Sequence, residues 1–129
     1  MENLYRYRTY IHSVYDGDSI TDAELDLGMN ISIRRPIRLY GVDTPELRKE
    51  QLEAGRVVRD FVRDLILDKW VIIKTFKDEE GKYGRLLADI DIEGMMLSDI
   101  LLEKGYAKVY FGGTKEKWTN EELYKITKS

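Results

Sequence analysis

The sequence predicts an α+β fold, a five-stranded Greek-key barrel with about three helices. Five segments have the period-two alternation and β-branched content of strands, and one long segment between the third and fourth has the i, i+3, i+4 spacing of a helix. A barrel is the expected closure because it leaves few strand edges exposed. With 129 residues and no repeat or linker, the chain is expected to be one domain over 1–129.

The first half of the chain predicts three strands separated by turns. Apolar and aromatic residues alternate over 5–14, and the polar cluster 15–19 ends this strand. A second strand over 19–27 departs from strict alternation, which indicates a β-bulge. After a turn at 28–30, a third strand over 31–39 keeps period two.

The next segment predicts an amphipathic helix, whose apolar residues recur at helical spacing over 54–66. Thr44 is predicted to cap its first segment, with Pro45 at the first helical position. Strands follow over 70–76 and 85–92, and Trp70 at the start of the first of them is expected to lie in the core together with Phe76 at its end.

Two short helices complete the prediction. The first, within 96–107, is expected to end at a glycine stop, Gly105. The last lies in the tail 118–128, with Thr119 or Asn120 as its cap.

Composition limits the classes of function. The net charge of −3 disfavours a domain that coats nucleic acid with positive charge, but it allows an enzyme with a few local cations. The absence of cysteine excludes disulfides, thiolate catalysis and zinc–thiolate sites. No signal region and no apolar run of roughly 20 residues is present. We therefore expect a cytoplasmic protein, or a secreted one if a leader has been omitted, with no membrane partner.

Two acidic motifs lie at predicted strand ends. Asp16 and Asp18 are separated by one glycine, an arrangement that suits a hard cation but is also an ordinary turn. The motif 43–46, Asp-Thr-Pro-Glu, either begins a helix with Glu46 as a capping-box partner or presents its acids to a site. Capping does not explain why Arg38 precedes this motif on the same strand.

The third motif, Lys82-Tyr83-Gly84-Arg85, is either a solvated hairpin or a phosphate cradle, because a planar guanidinium pairs well with phosphate oxygens. Taken together, the motifs supply two separated aspartates, two separated arginines and a glutamate. These are the components for cleaving a phosphodiester, in which a metal and guanidiniums neutralise charge and a carboxylate orients water.

The motifs VYDGDSI, IRLYGVDTPE, KYGR and GYAKV have the order and approximate spacing of the staphylococcal nuclease (thermonuclease) family, which the chain resembles from about Tyr7 to Tyr110. The resemblance implies an OB-fold barrel and calcium-dependent hydrolysis of DNA and RNA, in which water attacks phosphorus and leaves 3′-phosphate ends. A monomer is expected.

The resemblance also implies roles for individual residues. The implied calcium ligands are Asp18, Asp43 and Thr44, the last through its main-chain carbonyl. The implied catalytic residues are Arg38, Glu46 and Arg85. The implied substrate-binding residues are Lys82, Tyr83, Tyr110 and Phe111.

The chain departs from the family pattern after Val109, where Tyr110 and Phe111 precede two glycines, so base preference stays open. The alternative is a non-catalytic module of the same fold that binds nucleic acid or protein. Such modules are expected to lack the arginines or the acids, whereas this chain keeps them. A plain OB-fold that binds single strands would require a basic groove, which the net charge disfavours.

Overall fold

A closed barrel forms the body of the protein. The structure is a computed structural model that describes residues 5–76 and 85–129. Its long strands are β1 (Arg6–Asp16), β2 (Ser19–Asp26), β3 (Ser32–Leu39), β5 (Trp70–Phe76) and β6 (Leu86–Ile92). Its short strands are β4 (Val42–Asp43), β7 (Met95–Met96) and β8 (Lys108–Val109). Its helices are α1 (Leu52–Ile66), α2 (Leu97–Glu103) and α3 (Asn120–Thr127). The predicted α+β barrel is confirmed.

The barrel closes through one parallel pairing. β1, β2 and β3 form an antiparallel meander, and β5 joins β1 to β6, again antiparallel. β3 then pairs with β6 in parallel, with Ile37 opposite Leu86 and Leu39 opposite Ala88. The predicted bulge is present, because the β2–β3 register shifts between Ile20 and Ala23. The end of β3 therefore lies between the start of β2 and β6.

The core fills the barrel and the space under α1. The inward residues of the strands are fully buried, among them Ile11, Ile37 and Ile73. One face of α1 is buried at every fourth residue (Ala54, Val58, Val62 and Ile66), as its spacing predicts. Burial of the two valines and of Ile66 contributes about 1.5–3 kcal/mol for each side chain, so this helix face is firmly attached to the barrel.

Two predictions about this region are wrong. Residues 44–48 are not helical, and a 3₁₀ turn over Lys49–Gln51 leads into α1, so Thr44 does not cap that helix. Trp70 is 46% exposed and lies under the guanidinium of Arg8 at 3.9 Å. The strand alternation that buries Ile73 directs Trp70 outward.

The prediction that Phe76 lies in the core is also wrong. Phe76 lies on the same outer face of β5 as Trp70 and stacks on Tyr40 with ring centroids 3.8 Å apart. The predicted ends of the two later helices agree with the structure. Gly105 follows α2 with φ +76°, and Thr119 caps α3 through a capping box with Glu122. Neither described range contains a helix long and apolar enough to cross a membrane.

The N-terminus of α2 is capped from β6. Met96 occupies the N-cap position and has no side-chain acceptor. The buried carboxylate of Asp89 instead accepts hydrogen bonds from the N–H of Ser98 at 3.1 Å, the N–H of Ile90 at 2.9 Å and the Ser98 hydroxyl. Burial raises the pKa of Asp89, and these bonds partly oppose that rise.

Ser98→Ala is expected to lower the free energy of unfolding by about 1 kcal/mol, because it removes one buried bond to Asp89 and leaves the backbone bonds in place. Urea denaturation measures the change. Ser32→Ala is the matched control, since Ser32 donates to Glu24 at 3.1 Å on the exposed surface. Equal losses in the two variants would contradict a stabilising role for the buried bond between the Ser98 hydroxyl and Asp89.

Candidate active site

The pairing of β2 with β3 brings Asp18 to Arg38. Ser19 lies opposite Arg38 in the ladder, and the Leu39 N–H donates to the Asp18 carbonyl at 2.9 Å. Arg38 Nη1 is 3.4 Å from Asp18 Oδ2, and the two side chains are only 14% and 9% exposed. Because both groups are largely removed from water, their attraction is stronger than that of a surface ion pair.

The same carboxylate holds the segment that follows β4. The Thr44 N–H donates to Asp18 Oδ2 at 2.9 Å. Thr44 Oγ1 is buried and has no hydrogen-bond partner among the residues that the structure describes. Asp18 therefore sets the backbone position of Thr44 and of the neighbouring Asp43.

Gly17 permits this close approach. A Cβ at Gly17 would lie 2.6 Å from Val58 Cγ1 on α1 and 2.8 Å from Thr44 Oγ1. Real Cβ atoms do not come this close to their neighbours, so a side chain here would push the 43–46 motif away from Asp18. The glycine between the two aspartates is explained by this contact.

Asp16 adds a third buried carboxyl group to the site. The Asp18 N–H donates to Asp16 Oδ1 at 3.2 Å, and Asp16 is 8% exposed. Burial, and then the negative charge of Asp18, raise the pKa of Asp16 to about 7. The sequence places Asp16 in the acidic motif, but the resemblance assigns it no role.

Asp43 lies where β4 pairs with β8, opposite Lys108. Both of its oxygens are engaged by the loop before α3. Lys115 Nζ lies 3.1 Å from Asp43 Oδ1, and Trp118 Nε1 donates to Oδ2 at 3.3 Å. Sequence reasoning missed Lys115 and Trp118. No local pattern distinguishes this lysine from its neighbours, because only the return of the chain brings it to the site.

Glu46 lies at the edge of this group. Its N–H donates to Gln51 Oε1 at 2.8 Å, and its carboxylate accepts from Arg48 Nε at 3.1 Å. The interpretation of Glu46 as a capping-box partner is wrong, since no helix begins at Thr44. Gly55 allows the backbone at Glu46 to pack closely against α1, because a Cβ at Gly55 would lie 2.6 Å from the Glu46 carbonyl oxygen. The catalytic role of Glu46 stays a prediction.

The other predicted residues are placed to different degrees. Arg85 directly precedes β6. The first residue of β6, Leu86, pairs with Ile37 on β3, the strand that carries Arg38. Tyr110 lies with its ring centroid 5.9 Å from Arg38 Cζ. Phe111 is 70% exposed, with its ring edge against Tyr40.

Lys82 and Tyr83 fall outside the described residues. The roles inferred for Arg85, Tyr110 and Phe111 therefore remain predictions, as do those of Lys82 and Tyr83.

A family model described as "Staphylococcal nuclease homologue" matches residues 36–129, which include Arg38, Asp43 and Arg85. The chain belongs to the staphylococcal nuclease family. The match begins within β3, so it does not include Asp18. The β2–β3 pairing brings Asp18 to Arg38, which does lie within the match.

Two relatives illustrate the similarity. A thermonuclease from Staphylococcus hyicus is 30% identical over 101 residues, which is 76% of this chain and 56% of that protein. A staphylococcal-like nuclease, CAN1, from Arabidopsis thaliana is 31% identical over 93 residues, which is 69% of this chain and 27% of that protein. The chain thus spans about a quarter to about half of these relatives.

Metal binding by these acidic residues stays a prediction. Asp18 and Asp43 are buried carboxylates whose present partners include the cations Arg38 and Lys115. Over 5–76 and 85–129, no three acids or histidines are spaced to hold a metal alone. A cation at Asp18 and Asp43 would therefore rely on water or substrate oxygens for its remaining ligands, as is common for such ions in phosphate chemistry.

Proposed function

We propose that this member of the staphylococcal nuclease family is a calcium-dependent nuclease that hydrolyses phosphodiester bonds in DNA and RNA. The observation that supports this best is the buried contact between Asp18 and Arg38, to which Thr44 is also tied. It places a carboxylate suited to a metal beside a guanidinium suited to a phosphate. Buried charges with specific partners are frequent at sites arranged for chemistry, which favours an enzyme over a module that only binds.

The proposed chemistry is hydrolysis by in-line attack. Arg38 and Arg85 donate hydrogen bonds to the non-bridging oxygens of the phosphate, where negative charge accumulates in the transition state. Glu46 accepts a hydrogen bond from the attacking water and orients it. The water oxygen bonds to phosphorus as the bond to the 5′ oxygen breaks. The attacking water releases one proton to solvent, and the leaving 5′ oxygen takes up one proton from solvent. The products are a 3′-phosphate and a 5′-hydroxyl.

The cation would be held by Asp18, Asp43 and the carbonyl of Thr44. When bound, it supplies positive charge to the phosphate and lowers the pKa of nearby water. When the buried carboxyl group of Asp16 is ionised, it would add one negative charge beside these ligands. Lys82 and Tyr83 are proposed to bind a terminal phosphate, and Tyr110 or Phe111 to stack on a base.

The test is incubation of the protein with DNA and with RNA in calcium, in magnesium and in chelator, followed by identification of the new ends. We expect cleavage in calcium, no cleavage in chelator, and 3′-phosphate ends. Binding of nucleic acid without cleavage under every condition would instead support the non-catalytic module. Ends of the opposite polarity would contradict the proposed direction of attack.

Glu46→Gln is expected to lower turnover by about tenfold or more while changing calcium affinity only a few-fold, because the amide still accepts a hydrogen bond but no longer carries the charge that orients water. Steady-state kinetics and calorimetry measure the two effects separately. Glu50→Gln is the control, since Glu50 lies exposed on the adjacent 3₁₀ turn. A large loss of calcium affinity in Glu46→Gln would make Glu46 a metal ligand instead.

A further inference from the structure

The loop before α3 supplies a cation to Asp43. Lys115 Nζ is 3.1 Å from Asp43 Oδ1, with side chains that are 47% and 7% exposed. Three residues later, the indole of Trp118 donates to the other oxygen of the same carboxylate at 3.3 Å. A single short segment therefore contacts both oxygens of a predicted metal ligand.

A divalent cation and an ammonium group cannot both lie against Asp43 Oδ1, because their charges repel at contact distance. We propose that Lys115 is the resident counter-ion of Asp43, that a divalent cation must displace its ammonium group, and that Lys115 thereby sets the affinity of the site for metal. This inference rests on the proposed function, since it takes Asp43 as a metal ligand.

Displacement of Lys115 requires little rearrangement. The Lys115 side chain is 47% exposed, so its ammonium group can move into water, whereas the Asp43 carboxylate stays buried at 7% exposure. The ring of Tyr110 lies 5.5 Å from Lys115 Nζ and offers a second favourable position for the ammonium group. The loop begins at Gly112 and Gly113. Their backbone φ angles are +110° and +83°, which residues other than glycine rarely adopt.

Lys108, the second lysine near Asp43, has a structural role instead. It lies opposite Asp43 in the β4–β8 ladder, but its side chain is only 12% exposed. Its ammonium group contacts Glu122 at 2.9 Å and Glu116 at 3.3 Å, and donates to the Lys117 carbonyl at 3.1 Å. Lys108 therefore anchors the loop, whereas Lys115 has the half-exposed side chain that an exchangeable cation at Asp43 requires.

Trp118 provides a direct signal for the test. The chain has two tryptophans, so Trp70→Phe leaves Trp118 as the only one. In that background, calcium is titrated while Trp118 fluorescence is recorded, and calorimetry gives the same dissociation constant independently. The variants are Lys115→Met and, as a matched control for the loss of one charge, Lys117→Met, whose side chain is exposed in the same loop.

We expect Lys115→Met to bind calcium about three- to tenfold more tightly, and Lys117→Met to bind within about twofold of the background protein. Equal affinities in the two variants, or weaker binding in Lys115→Met, would overturn the inference while leaving the metal site in place. Absence of calcium binding in the background protein and in both variants would overturn it together with the metal dependence of the proposed function. Asp43→Asn should abolish calcium binding at this site, so any calcium binding that the variant retains occurs elsewhere on the protein.

Discussion

Arg38→Lys is expected to lower the turnover of nucleic-acid hydrolysis by about 10²–10³ while the fold is retained. The guanidinium is oriented by the Leu39 carbonyl, 3.0 Å from Nη1, and by Asp18. A guanidinium donates two parallel hydrogen bonds in one plane, whereas an ammonium group cannot reproduce that geometry on a phosphate. The loss should therefore fall on the chemical step.

Single-turnover kinetics with saturating protein measure this step apart from product release. The matched control is Arg34→Lys on the same strand, where the exposed Arg34 pairs with the partly exposed Asp22 through two bonds of 2.8 and 2.6 Å. That variant should retain the rate of the unsubstituted protein. If Arg38→Lys also retained it, Arg38 would be a structural partner of Asp18 and would not act on the phosphate.

Asp16→Asn is expected to stabilise the metal-free protein at pH 8 by about 1–3 kcal/mol and to change little at pH 4. The folded protein raises the pKa of Asp16 from its ordinary value of 3.8 to about 7, by burial and by the charge of Asp18. A carboxyl group with a raised pKa destabilises the fold once it ionises, so stability falls as pH rises from about 4 through 7. Asparagine removes that charge.

Urea denaturation in chelator at pH 4, 6 and 8 measures this effect. Asp22→Asn is a control of opposite sign. The hydrogen bond from Arg34 lowers the pKa of Asp22, so its ionised form favours the fold and the substitution should not stabilise the protein at any of these pH values. A gain in Asp16→Asn that did not grow with pH would contradict the role of the Asp16 charge. Calcium should shrink the gain, because a bound cation offsets the same repulsion.

Much of the fold could be predicted from periodicity and turn residues. The strand over Trp70–Phe76 has the predicted bounds, and the cap of α3 is one of the two predicted residues. The errors have a common origin. Trp70 was expected in the core because it is large and apolar, but the face to which a strand residue points depends on its neighbours in the sheet. Thr44 was expected to cap a helix, but its N–H is bonded to a carboxylate 26 residues earlier.

The candidate site divides in the same way. The residue types and their order indicated phosphodiester chemistry, because two aspartates, two arginines and a glutamate in these motifs are an unusual combination for turns alone. The sequence could not show that Asp16 is buried beside Asp18, or that Lys115 and Trp118 return to Asp43. Asp16 and Asp18 are close in the chain, but their burial depends on the elements packed around them, and Lys115 and Trp118 come from a segment far from Asp43 in the chain, so no local preference encodes these features.

By itself, the amino-acid sequence determined the class of fold, the location of the five long strands and of most of each helix, and the set of side chains that the proposed chemistry uses, because these depend on local periodicity and chemistry. Only the tertiary structure decided which charges are buried together and which cation lies against each carboxylate. The physical reason is that burial and charge pairing depend on distance in space, and the pairing of β2 with β3 sets that distance for Arg38 and Asp18.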